Sequence, residues 1–134
     1  MAEGKTFDLK IVCPERMFYE GKAKMVELNT TEGEIGVYAD HLPMTMILKP
    51  GVLTITEEED VKEAALHAGF IEILPDKVTI LAEVAEWPEE IDLERAKKAK
   101  ERAEERLARK DSDLNLVRAE SALARSLTRI SLRD

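Results

Sequence analysis

Between Phe7 and about Glu86 the apolar residues mostly alternate with polar ones. Phe7, Leu9 and Ile11 make one such run; Val52 and Ile55, near Thr54 and Thr56, belong to another; Val78, Ile80, Ala82 and Val84 form a third. A period of two places every second side chain on one face of a strand, so these runs predict half-buried strands. Turn signals separate them at Glu20-Gly21, Glu32-Gly33, Pro50-Gly51, the acidic run Glu57 to Asp60, and Pro75-Asp76. Many short strands with frequent turns predict an antiparallel sandwich or flattened barrel rather than alternating βαβ units.

At Pro88 the period changes. No later residue is Gly or Pro, and Ala, Leu, Arg, Glu and Lys dominate, which is helix-forming composition. Asp92 stands where a helix N-cap or first-turn acid belongs, since a carboxylate there meets free N–H groups and the positive end of the helix dipole. Leu93, Ala96, Ala99, Ala103 and Leu107 then recur at steps of three and four as one apolar stripe. Lys110, Asp111, Ser112 and Asp113 interrupt it, and a second stripe runs through Leu116, Ala119, Leu123, Leu127 and Ile130. So short a connection predicts an antiparallel pair of helices, with alanines letting the axes approach. The chain thus reads as α+β: an antiparallel β-sandwich over residues 1–87 and a two-helix hairpin over residues 88–134.

Composition sharpens this division. All 6 Gly, all 5 Pro and every aromatic residue fall at or before Pro88, whereas the arginines other than Arg16 begin at Arg95. The first part is acidic and the segment from Arg95 onward is basic, which predicts an anionic ligand or acidic partner for the tail and gives no general case for nucleic acid. No run approaches the ~18 apolar residues of a membrane helix. The opening MAEGKTFDLK, with Glu3 and no apolar stretch, is unlike a secretory leader. A single Cys13 excludes an internal disulfide, and two isolated histidines leave no zinc-ligand cluster.

The helices carry an internal repeat. Arg95, Ala96, Ala99, Arg102, Arg106 and Leu107 are matched 23 positions later by Arg118, Ala119, Ala122, Arg125, Arg129 and Ile130. If the chain reverses near Ser112, Arg95 lies level with the Arg125 to Arg129 turn, with Asp92 near the same end. Guanidinium forks suit polyphosphate oxygens, and a rim carboxylate can accept a hydrogen bond from a base or ribose. The competing reading, which spacing alone favours, is a solvated helix face with local pairs such as Glu105 to Arg109.

No catalytic constellation stands out: there is no P-loop, GxSxG or HExxH, and nothing pairs Cys13 with a histidine. His41 reads as a turn residue, His67 as a strand residue and Cys13 as a small buried hydrophobe. Met44 and Met46 suit core or contact surface, and Trp87 sits where the two halves meet.

Thr30 to Gly51, TTEGEIGVYADHLPMTMILKPG, closely resembles the hallmark stretch of the epsilon subunits of bacterial F-type ATP synthases. Leu66 to Glu83, LHAGFIEILPDKVTILAE, does so too, and Ile91 to Ala96, IDLERA, resembles that family's nucleotide-binding signature. The resemblance spans nearly the whole chain. It implies a β-sandwich followed by a helical hairpin, in a non-catalytic part of the rotating central stalk at the cytoplasmic face of the bacterial membrane. The implied partners are the gamma subunit, the c-ring and the catalytic beta and alpha subunits, with no nucleic acid and no insertion into the membrane. The hairpin would permit turnover when folded on the sandwich and inhibit ATP hydrolysis when extended. ATP, with or without Mg2+, would be a regulatory ligand, with no catalytic cofactor and no protein-held metal. Its ligands would map to Glu86, Asp92, Arg95, Arg102, Arg125 and Arg129. The alternative is the same subunit with a hairpin acting through protein contacts alone. Two departures stand out: Ala68 replaces a glycine common before Gly69-Phe70, and Tyr38-Ala39-Asp40 replaces a leucine-proline-glycine turn, making Tyr38 a candidate modifier of docking.

Overall fold

The computed structural model describes residues 5–109 and 113–133, so Glu3 and the expected reversal near Ser112 lie outside the described residues. Eight strands come first: β1 (Phe7–Cys13), β2 (Arg16–Ala23), β3 (Met25–Thr30), β4 (Gly33–Tyr38), β5 (Met44–Ile47), β6 (Gly51–Thr56), β7 (Val61–Ile73) and β8 (Lys77–Glu86). A single 3-10 turn (Pro88–Glu90) leads into α1 (Leu93–Arg109) and α2 (Asp113–Arg133). The alternation seen in the sequence is the cause of the sandwich. Phe7, Leu9, Ile11 and Cys13 of β1, Val26 and Leu28 of β3, Leu53 and Ile55 of β6, and Val78 and Ile80 of β8 all turn inward to one apolar core.

The hydrogen-bonded order is β2-β1-β8-β7-β6-β3-β4, with β5 pairing β7. Every ladder is antiparallel except β1 with β8, which run parallel from Asp8 opposite Lys77 to Val12 opposite Leu81. First and last strands therefore lie side by side, which brings the exit toward the helices next to the N-terminal hairpin.

Four of the predicted turns are where the pattern put them, at Glu32-Gly33, Pro50-Gly51, Glu57 to Asp60 and Pro75-Asp76. Glu20-Gly21 is not a turn: Gly21 lies inside β2, paired with Leu9. Its missing side chain makes room for Tyr19, whose hydroxyl would stand 2.9 Å from a Cβ there. A close same-face contact, not a chain reversal, explains that glycine.

Strand β7 is the long element around which the sandwich folds. Its first half pairs with β6 and its last four residues pair with β5, and between them Ala68 (φ 50°) and Gly69 (φ 120°) bend the strand. Asp40 (φ 64°) and Ala68 are the only non-glycine residues with positive φ among the described residues. They are the two positions where the resemblance led us to expect glycine. Asp40 belongs to a residue class that tolerates this conformation, and its N–H donates to the Pro75 carbonyl at 2.7 Å. Ala68 has no such help.

The helices pack on each other and α2 lies across β6, β7 and the 3-10 turn. On α1 the predicted stripe holds, with Ala96 and Ala103 buried. On α2 it holds only in part. Ala119 is buried, but Leu127 is 47% exposed, and Ser126 and Thr128 are buried instead. The stripe assumed one covered face, whereas α2 is covered by α1 and also by the sheet. The two buried hydroxyls donate to carbonyls one turn back, Ser126 to Ala122 and Thr128 to Ala124, both at 2.9 Å, so their burial leaves no polar group unpaired.

Candidate functional site

The join between sandwich and hairpin is built from the end of β8 and the residues just after it. Trp87 stacks on Phe18 of β2, ring centroids 4.2 Å apart. Glu90 receives a two-pronged contact from Arg16, both N···O distances 2.8 Å, and also accepts the Trp87 N–H at 2.8 Å. Arg16 holds the Glu90 carboxyl below the usual carboxylate range. The linker is thereby stapled to the sandwich. Asp92 then caps α1 as its sequence position predicts, its carboxylate accepting the Arg95 N–H at 3.1 Å.

Above this join a cleft of about 280 Å³ is lined by Glu86, Glu90, Asp92, Arg95, Ala96, Ala99, Arg102 and Arg129. Five of the six candidate ligands meet there: Glu86 from β8, Asp92 just before α1, Arg95 and Arg102 from the first turn and the middle of α1, and Arg129 from the last turns of α2. The expected convergence of guanidiniums is present with one exchange of membership. Arg125 does not line the cleft, because its Nη1 donates to Ser121 Oγ at 2.8 Å on its own helix, and Arg102, two turns beyond Arg95 on α1, does line it.

The charges within the cleft are unevenly satisfied. Arg129 Nε donates to Glu86 Oε1 at 2.7 Å, a bond that ties α2 to the sandwich. Nε2 of His67 lies 3.5 Å from the same oxygen, at the outer limit of a hydrogen bond and weaker than the Arg129 contact. The His67 ring and the Arg129 guanidinium outweigh the cost of part burial and hold the Glu86 carboxyl down at about 2. Among the described residues no ion pair engages Arg95 or Arg102, while the one i,i+4 helix pair is Lys100–Glu104 at 3.9 Å rather than Glu105 with Arg109. Two exposed, unpaired guanidiniums facing a third across a cleft form a site that an anion with several oxygens can fill.

His67 is the participant that the sequence pattern missed. A β7–β8 hairpin turning at Pro75-Asp76 pairs Ala65 with Glu86 and His67 with Val84, so that register placed the imidazole beside the carboxylate. Cys13 is buried as expected, and burial pushes its thiol up. His41 is a half-buried loop residue whose Nδ1 contacts the Leu42 carbonyl at 2.9 Å.

A second surface lies away from the cleft. The register places Ile47, Phe70, Leu81, Val12 and Met17 in one row across β5, β7, β8, β1 and β2. Ile47, Phe70, Leu81 and Met17 are all at least 38% exposed, so an apolar band crosses the outside of the sandwich. No helix among the described residues is long and apolar enough to cross a membrane.

Comparison with known proteins covers both halves. Residues 6–88 match the β-sandwich domain of the ATP synthase delta/epsilon chain, and residues 89–132 match that chain's long α-helix domain. The ATP synthase epsilon chain of Caldanaerobacter subterraneus subsp. tengcongensis is 47% identical over 129 residues, covering 96% of this chain and 94% of the relative. That of Ruminiclostridium cellulolyticum is 46% identical over 126 residues, covering 94% of each. A chain in the Euglena gracilis mitochondrial ATP synthase assembly of OSCP, F1 and c-ring superposes with a TM-score of 0.81 at 25% identity, over 92% of this chain and 78% of that one. With both domains matched and such identity along almost the full length, the chain belongs to the ATP synthase delta/epsilon family.

Proposed function

We propose that this chain is a non-catalytic subunit of the rotating central stalk of a bacterial F-type ATP synthase, peripheral to the cytoplasmic face of the membrane, and that ATP biases its hairpin between two states. The observation that carries the regulatory part is the cleft in which Arg95 and Arg102 of α1 face Arg129 of α2. These guanidiniums share a ligand only while the hairpin is folded back. A polyphosphate bridging them therefore binds the compact form better than the extended one, which is the condition for shifting the equilibrium. Arg95 and Arg102 take phosphate oxygens, Arg125 joins by swinging off Ser121, and Asp92 and Glu86 accept hydrogen bonds from base or ribose at the rim. Without the nucleotide, like charge across the cleft favours release.

The sandwich serves as the docking body. The band from Ile47 to Met17 suits the gamma subunit, and the exposed Leu42 and Met44 beside it suit the c-ring. Once extended, the basic hairpin faces the catalytic beta and alpha subunits, where acidic surface would hold it.

Calorimetric titration of the isolated chain with ATP tests the site. Arg95→Ala should weaken binding at least about tenfold, the loss of one charge-assisted contact, and Arg125→Ala should weaken it less. Unchanged affinity in both variants removes the site. A second reading, in which the hairpin acts through protein contacts alone, draws support from the partners that Arg129 and Arg125 already have in Glu86 and Ser121. Failure of the unsubstituted chain to bind ATP selects it.

A further inference from the structure

Strand β7 buries four residues in succession, Ala64 to His67. Ala64 and Leu66 belong to the sandwich core, so alternation turns Ala65 and His67 to the opposite face, the one on which the hairpin lies. His67 is 1% exposed, and neither ring nitrogen has a hydrogen-bond partner. A buried ring with both nitrogens poorly paired is rare and costly. Its nearest polar atom is Glu86 Oε1 at 3.5 Å, which Arg129 already occupies at 2.7 Å.

Several charged groups lie on the elements packed here. β8 brings Glu86, and α2 brings Arg129. The 3-10 turn brings Glu90, which is engaged by Arg16, and β6 places Gly51 and Val52 alongside. Asp92, Arg95 and Arg102 share the cleft with Glu86. A proton added to His67 while the hairpin is seated creates a second buried cation beside the oxygen that holds Arg129. With the hairpin released, the ring meets water and the Glu86 carboxylate is free to pair with it.

We propose that His67 is a proton-sensitive release for the hairpin: Arg129 holds Glu86 while the ring is neutral, and protonation favours the released state, in which Glu86 passes to His67. The direction follows from linkage, since the state that binds the extra proton gains population as pH falls. Glu86 itself stays charged throughout the range in which histidines titrate. The proposal rests on the two-state hairpin proposed above and does not depend on nucleotide binding.

Trp87, the single tryptophan, can serve as donor to a dye on an Arg118→Cys thiol in α2, while buried Cys13 is shielded from the label. A single proton taken up preferentially on release raises the released-to-seated ratio as pH falls, by at most about tenfold per pH unit. His67→Gln should abolish that rise. A flat response in the unsubstituted chain overturns the proposal, as does an equal rise in His67→Gln. Should His67→Gln fail to fold, an NMR titration of the His67 ring in the unsubstituted chain decides. Ring and α2 amide shifts moving together support the proposal, and a ring that titrates with α2 unmoved contradicts it.

Discussion

Arg129→Ala should unseat the hairpin while leaving the sandwich folded. The Arg129–Glu86 contact joins the last turns of α2 to the end of β8, with both side chains about one-quarter exposed. Removing one member of a mostly buried pair leaves the other charged and unpaired, and partial access of water to both trims the cost to about 2 kcal/mol. The seated-to-released ratio should fall roughly thirtyfold. Hydrogen exchange of α2 amides reads this directly, because only the hairpin's local opening should accelerate. Acid gives a second reading. The Glu86 carboxyl sits at about 2 in the folded chain, below its unfolded value, so the contact's contribution is full above the unfolded pKa and disappears as pH falls through about 2. The difference between Arg129→Ala and the unsubstituted chain should vanish over the same interval. An α2 that exchanges at the same rate in both proteins at neutral pH would show that this contact does not seat the hairpin.

Gly69→Ala should be the most damaging single methyl in the sandwich. A Cβ on Gly69 would lie 1.9 Å from the Leu81 carbonyl oxygen and 2.9 Å from the Ala82 Cα, both backbone atoms of the neighbouring strand, and φ at this position is 120°. No rotamer relieves a clash with backbone, so β7 and β8 must separate where they pair most extensively. The expected loss is about 3 kcal/mol or more, read as a lower denaturant midpoint. Ala68→Gly next door should act oppositely, relieving up to about 1 kcal/mol of left-handed strain. Equal stability of Gly69→Ala and the unsubstituted chain would refute the close-approach account.

The strands were legible because their burial is one-sided: Phe7, Leu9 and Ile11 alternate since one face of β1 meets the core. The parallel pairing of β1 with β8 was not legible, because alternation reports which face is buried and carries nothing about which strand lies alongside. Gly21 shows the same limit in small, since a glycine demanded by Tyr19 across one pleat looks like a turn in the sequence. In the hairpin, Ala96 and Ala103 followed the helical period, but Leu127 and Thr128 did not, because α2 answers to both α1 and the sheet. Asp92, Arg95, Arg102 and Arg129 meet in the cleft because helix geometry fixes their levels, and Glu86 joins them from the end of β8. Arg125 departs for a local reason, a serine one turn away. His67 escaped notice because a histidine inside an alternating run reads as strand, and its consequence appears only when Glu86 and Arg129 are placed around it.

The central claim is that a nucleotide holds the hairpin down by bridging its two helices. The most direct measurement is hydrogen exchange of α2 amides in the isolated full chain, with and without ATP. A ligand that binds only the seated form protects it in proportion to its excess over its dissociation constant, roughly a hundredfold at a hundredfold excess. The account predicts that ATP slows exchange along α2 and that Arg102→Ala cuts that protection about tenfold at the same ATP concentration. Rates along α2 unchanged by ATP through the millimolar range would contradict it.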